Sequence, residues 1–266
     1  MQRLENEKTR QAVRERYGEI AKEGSKGCGC SPSQNCCGEV KSEAVSSESL
    51  GYSIQELKSV PPGADLSLGC GNPVAIASLK PGQVVLDLGS GGGLDCFLAA
   101  SKVGEQGLVI GVDMTPEMIK RVRENAANGG FNKVEFRLGE IEHLPVADNS
   151  VDVIISNCVI NLSPEKKKVF QEAYRVLKPG GRLAISDIVA TKPMPEEIQK
   201  DLALFVGCVS GAALVADLEK ILRETGFRDI KIEPKEKSKE IIQEWVPESR
   251  VADYVTSAVI EAKKPG

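Results

Sequence analysis

The stretch Asp87-Leu88-Gly89-Ser90-Gly91-Gly92-Gly93 decides how the rest of this chain is read. VVLDLGS (84–90) is a continuous apolar run ending in glycine, the pattern of a buried strand, and LDCFLAASKV (94–103) reads as a helix. A glycine turn between a first strand and a helix lets a ligand approach the backbone at the helix N-terminus. Moving outward, GLVIGVD (107–113), VEFRLG (134–139), VDVIISN (151–157) and RLAISDIV (182–189) are further strands. Between them lie the helices TPEMIKRVRENAA, which suits a Thr115 cap and Pro116 first turn, and PEKKKVFQEAYRVL, closed by a KPGG turn. Strands alternating with helices of about 10 to 15 residues mean βαβ units and a parallel sheet. The C-terminal third adds helices around 195–206 and 213–225 and two weaker strands, IKIEP and VTSAVIEAKK. The expectation is an α/β protein: a mostly parallel seven-stranded sheet with helices on both faces.

The glycine turn also selects its ligand. A dinucleotide site needs G-x-G-x-x-G, and counting from Gly89 the third glycine position is Leu94. Asp87 lies two residues before the first glycine, where a carboxylate repels a pyrophosphate but suits a cationic amine. S-adenosylmethionine carries an amine and a sulfonium and no phosphate. Asp113, at the end of the second strand, is placed to accept both ribose hydroxyls. The Gly139-Glu140-Ile141 turn after the third strand is placed to read the adenine edge. The plainer alternative is that the glycines only tighten a turn and Asp87 is a cap.

The form D-x-G-x-G-x-G, an acid after strand two and LKPGG before strand five together resemble the Rossmann-like class I methyltransferases that bind S-adenosylmethionine. That resemblance implies that Asp87, Gly89, Ser90, Gly91 and Gly93 hold the methionine part. It gives Asp113 and Met114 the ribose and adenine, Glu140 and Ile141 the adenine edge, and Asn157 a place beside the methyl.

Charge and composition narrow the class. The chain has 266 residues and a net charge of −4 with no basic cluster, which argues against a nucleic-acid partner. The first twenty residues are charged throughout, unlike a signal peptide, and no apolar run approaches the ~20 residues of a membrane span. The expected location is cytoplasmic, with no membrane partner and with thiols kept reduced. Eight cysteines there point to a thiol-based task for some of them. Leu4, Val13, Tyr17 and Ile20 recur at helical spacing in the N-terminal segment. Residues 24–51 are rich in Gly, Ser and Glu and carry Cys28, Cys30, Cys36 and Cys37, so they read as a mobile arm. The C-x-C and C-C groups there do not match paired zinc-site spacing. The expected organisation is an N-terminal helix and arm (1–51), a cofactor-binding core (52–190), and a C-terminal substrate cap that completes the sheet (191–266).

Ser156-Asn157-Cys158-Val159-Ile160-Asn161 places a thiol directly after strand four, facing the crevice where ligands of open α/β sheets bind. Cys208, in FVGCVSGAAL, lies where a lid over that crevice would fold, and Cys70, in LGCGNP, enters from upstream of the first strand. Three thiolates beside an activated methyl would bind a soft, thiophilic centre. Trivalent arsenic takes three sulfurs as a pyramid and keeps a lone pair for in-line attack. Cys96, inside a helix, reads as a small buried hydrophobe. The sole histidine, His143, lies near the adenine end and is a poor candidate for a general base.

GCGNP, DLGSGGGLDCF, GVDMTPEM, SNCVINLSPEKKKVFQEAYRVLKPGG and GCVSGAAL resemble the arsenite methyltransferases over residues ~50–225. The resemblance implies that Cys70, Cys158 and Cys208 ligate arsenic(III) as substrate. It further implies arsenite or its thiol conjugates and a thiol reductant as partners, and arsenic detoxification as the role. An extra C-terminal domain found in some members is expected to be absent, which leaves the number of methyls open. Two alternatives stand beside it. One is a methyltransferase for a carbon acceptor such as a quinone, with the cysteines as packing. The other is a thiol-based arsenite- or metal-binding protein without turnover.

Overall fold

The computed structural model describes residues 2–23, 46–235, 238–245 and 250–266. The arm cysteines Cys28, Cys30, Cys36 and Cys37 lie outside the described residues. The chain opens with α1 (Gln2–Glu23), α2 (Ile54–Ser59) and α3 (Pro73–Ile76). The core follows as β1 (Val84–Leu88), α4 (Leu94–Val103), β2 (Leu108–Asp113), α5 (Pro116–Gly129), β3 (Val134–Leu138) and β4 (Val151–Asn157). Next come α6 (Lys166–Val176), β5 (Leu177–Ala190), α7 (Glu196–Gln199), α8 (Leu202–Val206) and α9 (Val215–Thr225). The sheet is completed by β6 (Arg228–Lys235) and β7 (Val255–Lys263), with α10 (Ser238–Trp245) between them.

The seven strands run in the order β3-β2-β1-β4-β5-β7-β6. The first five are parallel, while β7 pairs antiparallel with both β5 and β6. Strand runs such as VVLDL are apolar at every position but the acid because both sheet faces are covered. Leu86, Leu88, Ile110, Ile154 and Ile185 point to the face packed by α6 and α9. Val85, Val109, Phe136, Val153 and Ile155 point to the face packed by α4 and α5. Val169, Phe170, Ala173 and Val176 form the helical stripe by which α6 joins the core.

Three local features differ from the sequence expectation. The KPGG residues are not only a turn: the β4–β5 register jumps from Val151↔Leu177 to Val153↔Arg182, so they form a bulge within β5. Gly180 N and Gly181 O pair there with Lys264, which stitches the bulge to the C-terminal segment. Leu4, expected on the apolar face of α1, is exposed, and that face begins at Val13. Thr115 stands at the N-cap of α5 without a side-chain capping bond; its N–H donates instead to Asp113 Oδ1. No helix among the described residues is long and apolar enough to cross a membrane.

Candidate active site

The carboxyl ends of β1, β2 and β4 open into a cavity of about 1080 Å³ of empty space, which includes its mouth to solvent. That is the scale of a pocket for a nucleoside-sized ligand. Asp87, Gly89, Ser90, Gly91, Asp113, Met114, Ile141, Asn157 and Cys158 all line it. The turn residues earn their identity locally. Gly89 (φ +74°) holds a left-handed backbone, and a Cβ there would run into Val159 of the neighbouring strand tip. Asp113 accepts the N–H groups of Gly91 at 3.0 Å and Thr115 at 2.9 Å, which ties the glycine turn to the tip of β2.

Two buried groups in this wall call for a ligand. Ser90 Oγ has no hydrogen-bond partner among the described residues. Asp87 is buried and receives only the Cys96 Sγ–H at 3.1 Å, with no ion-pair partner among the described residues. Burial, and then the nearby Asp95 carboxylate, pushes the Asp87 carboxyl well above its ordinary range. A ligand ammonium at this point would reverse that penalty. The donors and acceptors thus fit an amino-acid-bearing nucleoside such as S-adenosylmethionine.

Asn157 joins this pocket to the loop that carries Cys70. Its Oδ1 accepts the Cys70 N–H at 2.9 Å, and its Nδ2 donates to Gly71 O at 2.7 Å. Nδ2 is also 3.0 Å from the Tyr52 hydroxyl, which donates to Asp95 Oδ1 at 2.7 Å. A Cβ on Gly69 would lie 2.5 Å from Asn157 Nδ2, so glycine is what lets the loop lie flat on the amide. Burial raises Asp95 to about 6, an effect opposed by its bonds from Tyr52 and Asn157.

The three cysteines singled out in the sequence converge. Cys70 and Cys158, 88 residues apart, are joined in a disulfide with Cα atoms 5.9 Å apart. Cys208, in the turn after α8, donates its thiol to Cys158 O at 2.7 Å, and burial pushes that thiol's pKa well up. Tyr17 of α1 covers it, with the hydroxyl 4.0 Å from Cys208 Sγ. Cys158 (φ +55°) and Cys208 (φ +64°) both hold left-handed backbones, which is uncommon for residues with a side chain. Asp187, buried on β5, lies within 4.8 Å of the sulfurs of both Cys70 and Cys158.

Some residues fall elsewhere than the sequence suggested, and some were missed. Gly93 (φ +98°) does not line the cavity; it starts α4, where a Cβ would lie 2.6 Å from Phe97 and Val122. Glu140 faces Arg14 outside the cavity, whereas Glu142 lines it, buried and bonded to Arg10 at 3.3 Å and Ser163 at 2.6 Å. The two acids sit in a turn, where no strand alternation applies, and nothing in the sequence said which was inside. Arg10, Val13 and Tyr17 of α1 also roof the cavity, a tertiary contact with no local signal. Asp187 was visible as the one acid in the apolar run RLAISDIV, and Asp95 as an acid at the start of a helix after glycines. Cys96 is fully buried in α4, as expected, and His143 is exposed.

The family of methyltransferase domains matches residues 79–226 of this chain. An arsenite methyltransferase of Halobacterium salinarum is 55% identical over 264 residues, which cover 97% of this chain and 67% of that protein. This chain belongs to the arsenite methyltransferase family. A second arsenite methyltransferase, from Aquipseudomonas alcaligenes, is 46% identical over 168 residues, 60% of this chain and 48% of that one. The chain therefore spans two thirds of the halobacterial relative and about half of the other. Among solved structures, an arsenic(III) S-adenosylmethionine methyltransferase from Chlamydomonas reinhardtii superposes with a TM-score of 0.60. It is 33% identical, covering 83% of this chain and 73% of that one. The Rossmann-like class I methyltransferase fold expected from the glycine turn is the fold observed.

Proposed function

We propose that this chain transfers the methyl group of S-adenosylmethionine to trivalent arsenic held by Cys70, Cys158 and Cys208. The observation that carries the reading is the position of Cys158. It lines the same cavity as Asp87 and Asp113, at the tip of the strand beside β1, and the other two cysteines converge on it. When bound, S-adenosylmethionine supplies an electrophilic methyl. Asp87 would hold its ammonium, Asp113 its ribose hydroxyls, and Ile141 with Glu142 would border its adenine.

The remaining work falls to the chain's own residues. The Cys70–Cys158 bond must be opened to two thiols by a thiol reductant before arsenic binds. Each thiol then gives up a proton as it takes the metalloid, since the thiolate is the ligand. Three sulfurs fill one side of arsenic and leave its lone pair on the other, so no general base is needed at the nucleophile. Positioning becomes the main contribution: Asn157 fixes the Cys70 loop relative to the cofactor pocket, and Tyr17 with Val13 closes the roof against water. A reducing, cytoplasmic compartment suits the thiols, and arsenic detoxification suits the product.

The test is to incubate reduced protein with arsenite, a small thiol and methyl-labelled S-adenosylmethionine and to follow label into methylated arsenic by mass. Wild type should transfer label, and Cys158→Ser and Cys208→Ser should not. Tight arsenite binding without transfer would favour a binding protein; equal activity in all three would send the reading to a carbon acceptor.

A further inference from the structure

The group formed by Cys70, Cys158 and Asp187 has a feature that arsenic chemistry leaves unused. Asp187 is 2% exposed and has no ion-pair partner among the described residues, yet one of its oxygens lies within 4.8 Å of both sulfurs. Its Oδ1 accepts Asn161 Nδ2 at 2.9 Å and the Ile188 N–H at 2.8 Å, and its Oδ2 accepts the Ile160 N–H at 3.0 Å. The backbone N–H of Asn161 donates to this carboxylate as well, so four donors fix it in place beside the two sulfurs. Trivalent arsenic bound by three thiolates is neutral and gains nothing from a buried anion. A divalent cation does.

We infer that the reduced Cys70–Cys158–Asp187 group is a binding site for a thiophilic divalent metal ion, zinc or cadmium, in competition with arsenite. Both ions accept sulfur and carboxylate oxygen together in tetrahedral sites. With Zn–S near 2.3 Å and Zn–O near 2.0–2.2 Å, tetrahedral donors stand about 3.4–3.8 Å apart. The oxygen lies within 4.8 Å of both sulfurs, and opening the disulfide frees the two sulfurs to move apart to that spacing. Cys158 also lines the cofactor cavity, which gives the ion a route to the group.

The chemistry balances simply. A dithiol or phosphine reductant supplies two electrons and two protons to the Cys70–Cys158 bond, giving two thiols. The metal ion then displaces those two protons to solvent and binds two thiolates and the Asp187 carboxylate, leaving one net negative charge on the group. Lys166, whose ammonium lies near enough to favour the Asp187 anion, offsets that charge. The site shares Cys70 and Cys158 with the proposed arsenic site but requires no methyl transfer.

Titration of phosphine-reduced protein with Cd²⁺, followed by the ultraviolet thiolate-to-cadmium absorption, tests it. With Cys28, Cys30, Cys36 and Cys37 changed to serine throughout, so that the arm thiols take no cadmium, one equivalent should bind to the otherwise wild-type protein and none to Cys158→Ser. Asp187→Asn should weaken cadmium about tenfold or more while leaving arsenite affinity within about twofold, because only the divalent ion uses the carboxylate. Equal cadmium affinity in wild type and Asp187→Asn would overturn the site. Since Asp187 also braces the 160–161 turn, X-ray absorption of the same cadmium-loaded protein with Asp187 intact gives a second readout independent of that variant. A shell of two sulfurs with oxygen supports the assignment, and an all-sulfur shell overturns it. Cadmium bound through the mixed shell without arsenic methylation would keep this site and remove the function proposed above; methylation with an all-sulfur cadmium shell would do the reverse.

Discussion

The tips of β1 and β4 lie side by side, with Leu88 opposite Ser156, and both turn through left-handed backbone. At β1 the turn is made of Gly89, Gly91 and Gly93; at β4 it is made by Cys158. A left-handed residue with a side chain costs roughly 1–2 kcal/mol more than glycine there. The cofactor-side tip has only to let a ligand approach its backbone, and its glycines need no side chain. The other tip must present sulfur, so the strain is kept, and Cys208 keeps the same strain for the same reason. One tip is therefore optimised for approach and the other for chemistry.

The largest effects should separate the two tips. Cys158→Ser should abolish arsenic methylation while S-adenosylhomocysteine affinity, measured by calorimetry, stays within about threefold. Asp87→Asn should do the opposite. Losing a charged hydrogen-bond partner costs about 1.5–3 kcal/mol, or 10- to 100-fold in cofactor affinity, with arsenite binding intact. If Asp87→Asn weakened arsenite as much as cofactor, the tips would not be independent.

Asn157 is the bridge between them. Removing its amide in Asn157→Ala strands the Cys70 N–H and the Gly71 carbonyl, each with a desolvation cost of about 1–3 kcal/mol. The expected outcome is faster hydrogen exchange over residues 66–72 and about a tenfold rise in the arsenite concentration for half-maximal rate. Cofactor affinity should change less. Unchanged exchange in that loop would show that Tyr52 and Asp95 hold it without the clamp.

The same comparison predicts an unusual pH response. Burial raises Asp95 and Asp187 to about 6, and raises Asp87 and Asp113 as well. Because these folded-state values lie above the unfolded ~3.9, the native state binds more protons between about pH 4 and 6. Stability from these groups is therefore greatest at low pH and falls as pH rises through that window, by roughly 3 kcal/mol for a group shifted to about 6. Glu165 and Glu172 are held low by Arg10 and Arg175, and oppose this only below their ordinary range near 4.5. Cofactor-free protein should melt at a higher temperature at pH 5 than at pH 7.5. Saturating S-adenosylhomocysteine, which brings an ammonium to Asp87, should shrink that difference.

How much of this was legible beforehand follows the same division. Asp87, Gly89 and Asp113, picked out in advance, line one cavity because they lie within a single βαβ unit whose two strands pair side by side. Glu142 escaped because the side of a turn that faces a cavity is set by tertiary packing. The roof from α1 escaped for the same reason, since Val13 and Tyr17 are separated from the pocket wall by a long stretch of chain. The meeting of Cys70 and Cys208 with Cys158 was anticipated, whereas the disulfide between Cys70 and Cys158 was not, since the thiols were expected to stay reduced. The bulge in β5 was hidden because KPGG carries the composition of an ordinary turn.

The smallest effect isolates backbone strain from chemistry. Cys158→Ala and Cys158→Gly both remove the thiol and should be equally inactive, but glycine relieves the left-handed backbone. Cys158→Gly should be the more stable of the two by about 1 kcal/mol in thermal or urea denaturation. At the other tip Gly91 (φ +48°) has open space around its would-be Cβ, so Gly91→Ala should lose about the same amount with no clash. Gly89→Ala should lose more, because its Cβ meets Val159 as well as adopting φ +74°. Equal stabilities of Cys158→Ala and Cys158→Gly would mean that the β4 tip relaxes its backbone once the thiol is gone. Cys70, Cys208 and Asn157 would then be what holds that turn left-handed, rather than the chain on either side of it.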